Sequence, residues 1–138
     1  MILVTCAIIE KAGLVLVTQR SEKMALALKW EFPGGKVEEG ESEEACLLRE
    51  IREELNIQIK IVEPLKPNTH HYPNGKEIQL VPFICEYMSG DLQLAEHADY
   101  KWLKKEALLD LDWAEADIPI VQEYINKRND RRDLRTTH

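Results

Sequence analysis

The chain has 138 residues, of which 44% are hydrophobic and 31% are charged, and these values predict one globular domain with its own core. Its formal net charge of −7 argues against a nucleic-acid polymer as partner, because such polymers are bound by clustered Lys and Arg. No apolar run approaches the ~20 residues that cross a bilayer, and the opening residues lack the basic start and cleavage site of a signal peptide, so we expect a cytoplasmic protein with no membrane partner.

Two strands, residues 2–9 and 14–18, are predicted first because both runs are rich in β-branched side chains. Gly13 supplies the permissive backbone for the turn between them. Arg20 follows the second strand, where it either reaches a pocket or stays a solvated surface cation. Alternation and turn residues predict the later elements: strands at 57–62, 77–88 and 100–103, and a helix after Pro119.

A helix is predicted after Ser42, a suitable N-cap, and its acidic side chains share one face. At ~100° per residue, Glu50, Glu53 and Glu54 fall within about 100° of one another. Like charges at this spacing cost a helix ~0.2–0.5 kcal/mol per pair, so a cation is expected in front of them. Carboxylate oxygens suit Mg²⁺ or Mn²⁺. The alternative is a solvated face on which Arg49 pairs with Glu53.

The same helix belongs to a longer pattern of fixed spacings. Gly35 is followed after five residues by Glu41, and after seven more by Arg49-Glu50-Ile51-x-Glu53-Glu54-x-Asn56-Ile57. This pattern resembles the Nudix box, GX₅EX₇REUXEEXGU with U aliphatic, at every defined position but one. Asn56 stands where the family has glycine. Asparagine also adopts the left-handed backbone that ends such a helix, so we expect geometry and activity to survive the change.

The flanks of the box, from Cys6 to about Tyr124, resemble those of MutT-type nucleoside triphosphate pyrophosphohydrolases, in particular the branch that acts on cytidine nucleotides or 8-oxo-dGTP. The resemblance implies an α/β/α sandwich around a mixed sheet, in a single domain of residues 1–128. A charged tail, residues 129–138, is expected to fray. The resemblance also implies that the protein hydrolyses a nucleoside triphosphate to monophosphate and pyrophosphate, a reaction that would sanitise the nucleotide pool. We expect the protein to be a monomer or a homodimer.

The resemblance further implies a set of site residues around Mg²⁺, or Mn²⁺. Glu50 would ligate the metal or act as general base on water, and Glu96 would add a ligand or share the base role. Glu41 and Arg49 look structural, as a carboxylate–guanidinium pair that ties the loop to the helix. The metal ligands would be Glu50, Glu53, Glu54, Glu96 and the carbonyl of Gly34 or Gly35.

Five residues are candidates to bind the substrate. Arg20 and Lys36 would neutralise phosphates, while Phe32 and Tyr72 either stack on the base or pack in the core. Asp117 matches a position at which relatives that select oxidised guanine carry asparagine. An ionised aspartate only accepts hydrogen bonds, which suits an exocyclic amino group such as cytosine N4. Asp117 could instead be the N-cap of the last helix.

Two other functions remain open from the sequence. One is a Nudix hydrolase of ADP-ribose or dinucleotide polyphosphates, whose reactions release no pyrophosphate. The other is a catalytically silent nucleotide-binding regulatory module. Such modules usually lose box glutamates, whereas this chain has all of them.

Overall fold

The computed structural model describes residues 1–136, with side chains described as far as Asn129. In these residues eight strands form one mixed sheet. The strands are β1 (Ile2–Lys11), β2 (Leu14–Gln19), β3 (Trp30–Glu31), β4 (Gly34–Lys36), β5 (Gln58–Pro64), β6 (Asn68–His71), β7 (Glu77–Ser89) and β8 (Asp99–Leu103). The helices are α1 (Glu43–Leu55) and α2 (Ile118–Thr136), with 3-10 segments at Lys105–Asp110 and Glu115–Asp117.

The centre of the sheet is the parallel pair of β1 and β7. On one side β2 and β4 pair with β1, and β3 and β8 pair with β2, all in antiparallel register. On the other side β5 and β6 pair with β7, also antiparallel. One parallel pair within an otherwise antiparallel sheet confirms the expected mixed sheet.

Side chains of β1 alternate between two hydrophobic clusters, as the two-residue period of a strand requires. Cys6 and Ile8 belong to one cluster, and Ala7 and Ile9 belong to the other. Each cluster is completed by a different helix. The first contains Ile120, Val121 and Tyr124 of α2, and the second contains Leu47, Ile51 and Leu55 of α1. The helices therefore cover opposite faces, and the expected α/β/α sandwich is confirmed.

Both ends of α1 are capped as the sequence predicts. The Ser42 hydroxyl accepts the backbone N–H of Ala45 at 3.1 Å, which satisfies one of the free amides at the start of the helix. Asn56 ends the helix with φ of 59°, the left-handed conformation that asparagine tolerates better than most residues. Its side-chain amide donates to the Asp91 carbonyl at 3.1 Å. The asparagine thus preserves the helix end.

Gly34, the first residue of β4, allows this strand to lie very close to β1. A Cβ atom on Gly34 would lie 2.0 Å from the Thr5 carbonyl oxygen. Strands β1 and β4 would have to move apart to remove this clash. Strand β4, from which the loop to α1 begins, is therefore held directly against β1.

The helix α2 continues to Thr136, past the boundary at residue 128 that the sequence suggested. Of the tail expected to fray, residues 137 and 138 lie outside the described residues, and the fraying stays a prediction. In the part of the chain that is described, neither helix has the length and apolar character needed to cross a membrane.

Candidate active site

A cavity of about 650 Å³ lies beside β1 and β4 and brings together most of the candidate site residues. Its lining includes Arg20, Phe32, Gly34, Gly35, Glu54, Tyr72, Glu96 and Asp117. Three candidates for metal or substrate binding are not in this lining. Lys36 is exposed, the Glu53 side chain is 61% exposed, and the Glu50 carboxyl lies against the backbone at Gly35. The structural pair Glu41 and Arg49 also lies outside the lining. Val4, Ile78 and Leu80 add apolar surface to the lining, so the cavity offers both polar and apolar contacts.

Gly35 allows the Glu50 carboxyl to lie against the backbone of the box loop. A Cβ atom on Gly35 would lie 2.3 Å from Cδ of Glu50 and within 2.6 Å of both carboxylate oxygens. Any larger residue at this position would push the carboxyl away. The first glycine of the box and its first helical glutamate therefore act as one unit.

Arg49 binds three carboxylates with one guanidinium. Its Nε and Nη2 atoms donate to the two oxygens of Glu41 at 2.6 and 2.9 Å, the bidentate geometry that is strongest for this pair. Its Nη1 donates to Glu50 at 3.0 Å and to Glu53 at 3.2 Å. Hydrogen bonds from Arg49 lower the pKa of Glu41 to about 2, and those same bonds raise the pKa of Arg49. Both the expected loop-to-helix pair and the alternative pair with Glu53 are present.

Of the three box glutamates on α1, Glu54 is the one that forms no hydrogen bond with Arg49. Its Oε2 atom is buried and has no hydrogen-bond partner among the described residues. Burial, followed by the neighbouring Glu50, raises the pKa of Glu54 to about 9. A buried oxygen without a partner is costly unless a cation or a proton meets it. The described part of the chain holds no group of three His, Cys, Asp or Glu side chains already arranged to bind a metal. Two of the candidate ligands, Glu50 and Glu53, are bonded to Arg49 instead.

The two glycines of β4 differ in what their carbonyls can do. The N–H of Ala7 donates to the Pro33 carbonyl at 2.8 Å, and hydrogen-bonded pairs alternate along an antiparallel ladder. Gly35, opposite Thr5, is therefore in a bonded pair, and its carbonyl also accepts the Thr5 hydroxyl at 3.2 Å. Gly34 is in a non-bonded pair, so β1 leaves its carbonyl open.

Glu31 holds two cavity residues in place, a role that the sequence interpretation missed. Its Oε1 accepts from Arg20 Nη1 at 2.8 Å, and its Oε2 lies 3.0 Å from His97 Nε2. Arg20 also donates from Nε to the Ala25 carbonyl at 2.6 Å. Arg20 therefore lies in the cavity wall and is not a freely solvated cation. The signal in the sequence that could have identified Glu31 is its position directly before Phe32 and Pro33, both of which are buried in the structure.

Asp117 also lines the cavity and is buried, with 6% of its surface exposed. Its Oδ2 accepts the backbone N–H of Phe32 at 2.9 Å, which is a bond to the segment between β3 and β4 and not to the first turn of α2. Burial raises its pKa to about 8. At pH 7 the side chain is therefore mostly neutral and can donate as well as accept, unlike the purely accepting carboxylate expected from the sequence.

Aromatic residues form the wall near Asp117. Phe32 is 3% exposed and packs on Trp113 with ring centroids 4.9 Å apart, so it belongs to the core as well as to the cavity lining. Tyr72 is half-buried and meets His70 edge-on at 4.6 Å. The following turn brings Lys76 to the cavity. The sequence analysis gave Lys76 no function.

The comparisons with known proteins agree with this geometry. A model of the NUDIX domain family matches residues 2–124. The CTP pyrophosphohydrolase of Escherichia coli (strain K12) is 38% identical over 128 residues, which are 93% of this chain and 94% of that protein. The putative 8-oxo-dGTP diphosphatase 2 of Mycobacterium tuberculosis (strain ATCC 25618 / H37Rv) is 31% identical over 115 residues, 83% of this chain and 82% of that protein. Among solved structures, the E. coli ORF135 protein has a TM-score of 0.85 at 36% identity, covering 95% of this chain and 93% of that chain.

Proposed function

The chain belongs to the Nudix family, and from this premise we propose that it hydrolyses nucleoside triphosphates to monophosphate and pyrophosphate with Mg²⁺ or Mn²⁺. The observation that carries the proposal is the buried, unpartnered Oε2 of Glu54 in the lining of a cavity. The same lining contains Asp117, which can hydrogen-bond a base. Such an enzyme would act on the free nucleotide pool of the cytoplasm, as a monomer or homodimer.

The side chains present fit a hard divalent cation. The unpartnered oxygen of Glu54 and the open carbonyl of Gly34 are oxygen donors of the kind that Mg²⁺ prefers. The proposed ligands are the carbonyl of Gly34 and the carboxylates of Glu50, Glu53, Glu54 and Glu96. When bound, the cation would polarise the phosphoryl oxygens and lower the pKa of an attacking water.

The protein groups around that position would orient water and stabilise phosphate charge. Glu50, held between Gly35 and Arg49, and the more exposed Glu96 are the two candidates for the general base. Arg20 is anchored by Glu31 and points its charge at the cavity, where positioning and charge neutralisation contribute most of the catalysis in phosphoryl chemistry.

Besides Arg20, a lysine is expected to neutralise phosphate charge. The structure favours Lys76 over Lys36 for this role. Lys76 is among the lining residues and Lys36 is not. We therefore expect Lys76→Met to raise KM for the triphosphate several-fold, whereas Lys36→Met should change it little. Equal effects of the two substitutions would contradict this assignment.

The base is expected to lie between Phe32, Tyr72 and Asp117. A neutral Asp117 both donates and accepts, so it can pair with a cytosine-type edge or with the edge of an oxidised purine. This breadth supports cytidine-type and modified nucleotides as the substrate class.

The test is to measure pyrophosphate release from normal, oxidised and methylated nucleoside triphosphates, with ADP-ribose and dinucleotide polyphosphates as comparison substrates. We expect pyrophosphate from the triphosphates and loss of turnover in Glu53→Gln and Glu54→Gln. Unchanged turnover in both variants would contradict the proposal that Glu53 and Glu54 bind the metal. Nucleotide binding without turnover in either Mg²⁺ or Mn²⁺ would identify a silent module instead.

A further inference from the structure

His97 is a buried cavity residue for which the proposed reaction has no role. Its side chain is 4% exposed, it lines the cavity, and its Nε2 lies 3.0 Å from Oε2 of Glu31. Because a carboxylate oxygen accepts, Nε2 donates to Glu31, and Nδ1 is the ring nitrogen left to meet another group. That Nδ1 atom is buried without a hydrogen-bond partner among the described residues.

His97 lies close to both groups of proposed site residues. It is bonded to Glu31, and the next residue, Phe32, donates its N–H to Asp117 at 2.9 Å. Besides burial, the charge of Glu31 raises the pKa of Glu54 as well as that of Asp117, and all of these residues line the same cavity. His97 is therefore near the proposed base position and near the proposed catalytic carboxylates.

In a nucleotide the sugar separates the base from the phosphates, and its hydroxyls are the hydrogen-bond donors of that middle section. We propose that Nδ1 of His97 accepts a hydrogen bond from a sugar hydroxyl of the bound nucleotide. Glu31 is the positioning residue, since its bond to Nε2 fixes the tautomer and the ring orientation. This inference rests on the proposed hydrolysis of nucleoside triphosphates and adds to it a residue that reads the sugar.

The first test uses the wild-type protein and three forms of one base. The ribo, 2′-deoxy and 2′,3′-dideoxy forms of the triphosphate turned over fastest are compared at saturating Mg²⁺. Loss of one neutral hydrogen bond should raise KM about two- to tenfold at one step of the series, with kcat little affected. Equal KM values across the series overturn the inference alone. Absence of turnover with every triphosphate overturns the proposed function and this inference with it.

The second test separates the two nitrogen atoms of His97. Glutamine can place an amide N–H near the position of Nε2, where it still donates to Glu31, but offers no acceptor at Nδ1. Asparagine reaches the position of Nδ1 and offers an acceptor there, but loses Glu31. We expect His97→Gln to abolish the KM difference across the sugar series and His97→Asn to retain part of it. An equal rise of KM for all three sugars in His97→Gln, or a change confined to the Mg²⁺ concentration that gives half-maximal activity, would overturn the assignment. The wild-type series remains decisive if either variant fails to fold.

Discussion

Replacing Glu54 by glutamine should flatten the pH dependence of stability in the metal-free protein. The pKa of this carboxyl rises from 4.5 to about 9 in the fold, chiefly because it is buried. Between those values the folded protein keeps a proton that the unfolded chain has released. The stability that the neutral carboxyl contributes is therefore complete below about pH 4.5 and is lost as the pH rises towards 9.

The size of the effect follows from the width of that window. Each pH unit within it removes at most ~1.4 kcal/mol from the free energy of unfolding. At pH 7.5, roughly three units above the unperturbed value, the loss reaches at most about 4 kcal/mol. Glutamine has nearly the same shape and no charge, so Glu54→Gln should be the more stable protein in EDTA at this pH. Its turnover with Mg²⁺ should nevertheless fall at least about 100-fold.

The assay is urea unfolding followed by tryptophan fluorescence, in EDTA, from pH 5.5 to 8.5. Glu53→Gln is the matched control, because it makes the same chemical change at a neighbouring side chain that is 61% exposed and should keep the wild-type slope. Parallel slopes for wild type and Glu54→Gln would refute the buried carboxyl as the source of the pH dependence. Added Mg²⁺ should stabilise the wild type more than Glu54→Gln, since the ion binds the folded state.

Three further predictions concern the box and the base. Gly35→Ala should reduce kcat about 100-fold and leave KM little changed, because the new Cβ would lie 2.3 Å from Cδ of Glu50 and displace it; steady-state kinetics measure both. Arg49→Lys should lower Tm and turnover, since an ammonium does not hold both oxygens of Glu41; equal melting curves would contradict this. Wild-type preference for bases with an exocyclic amino group should increase as the pH passes about 8, where Asp117 ionises. Asp117→Asn should show no such change and should favour oxidised guanine; an identical pH profile in the two proteins would argue against base reading.

Local features of the site could be predicted from the sequence because they depend on short-range geometry. The Ser42 cap, the left-handed Asn56 and the shared face of the α1 glutamates all follow from helix spacing. What spacing did not predict is the unequal environment of those glutamates. Glu54 is largely buried and Glu53 is exposed, since the loop that carries Glu96 covers one side of the face and leaves the other to solvent.

Features that depend on distant parts of the chain could not be read from the sequence. His97 and Glu31 are 66 residues apart, and Phe32 and Asp117 are 85 apart, so only the folded sheet brings each pair together. Pro82 shows the same limit. A proline within a strand usually marks an edge or a bulge, yet Pro82 lies in the central β7, where its carbonyl accepts from Leu65 at 2.9 Å. Since N and C=O of one strand residue point to the same side, its missing N–H faces the gap between β5 and β6.

The contacts of Arg49 explain how the box can be stable before a cation binds and still admit one. Its two short bonds, from Nε and Nη2, go to Glu41, outside the proposed ligand set. Only Nη1 contacts Glu50 and Glu53, at the longer distances of 3.0 and 3.2 Å. An arriving cation therefore has to displace the Nη1 contacts alone, while the bidentate pair continues to tie the loop to α1. In the metal-free state Nη1 offsets the repulsion between these carboxylates, and Glu54, which it does not reach, keeps a proton instead.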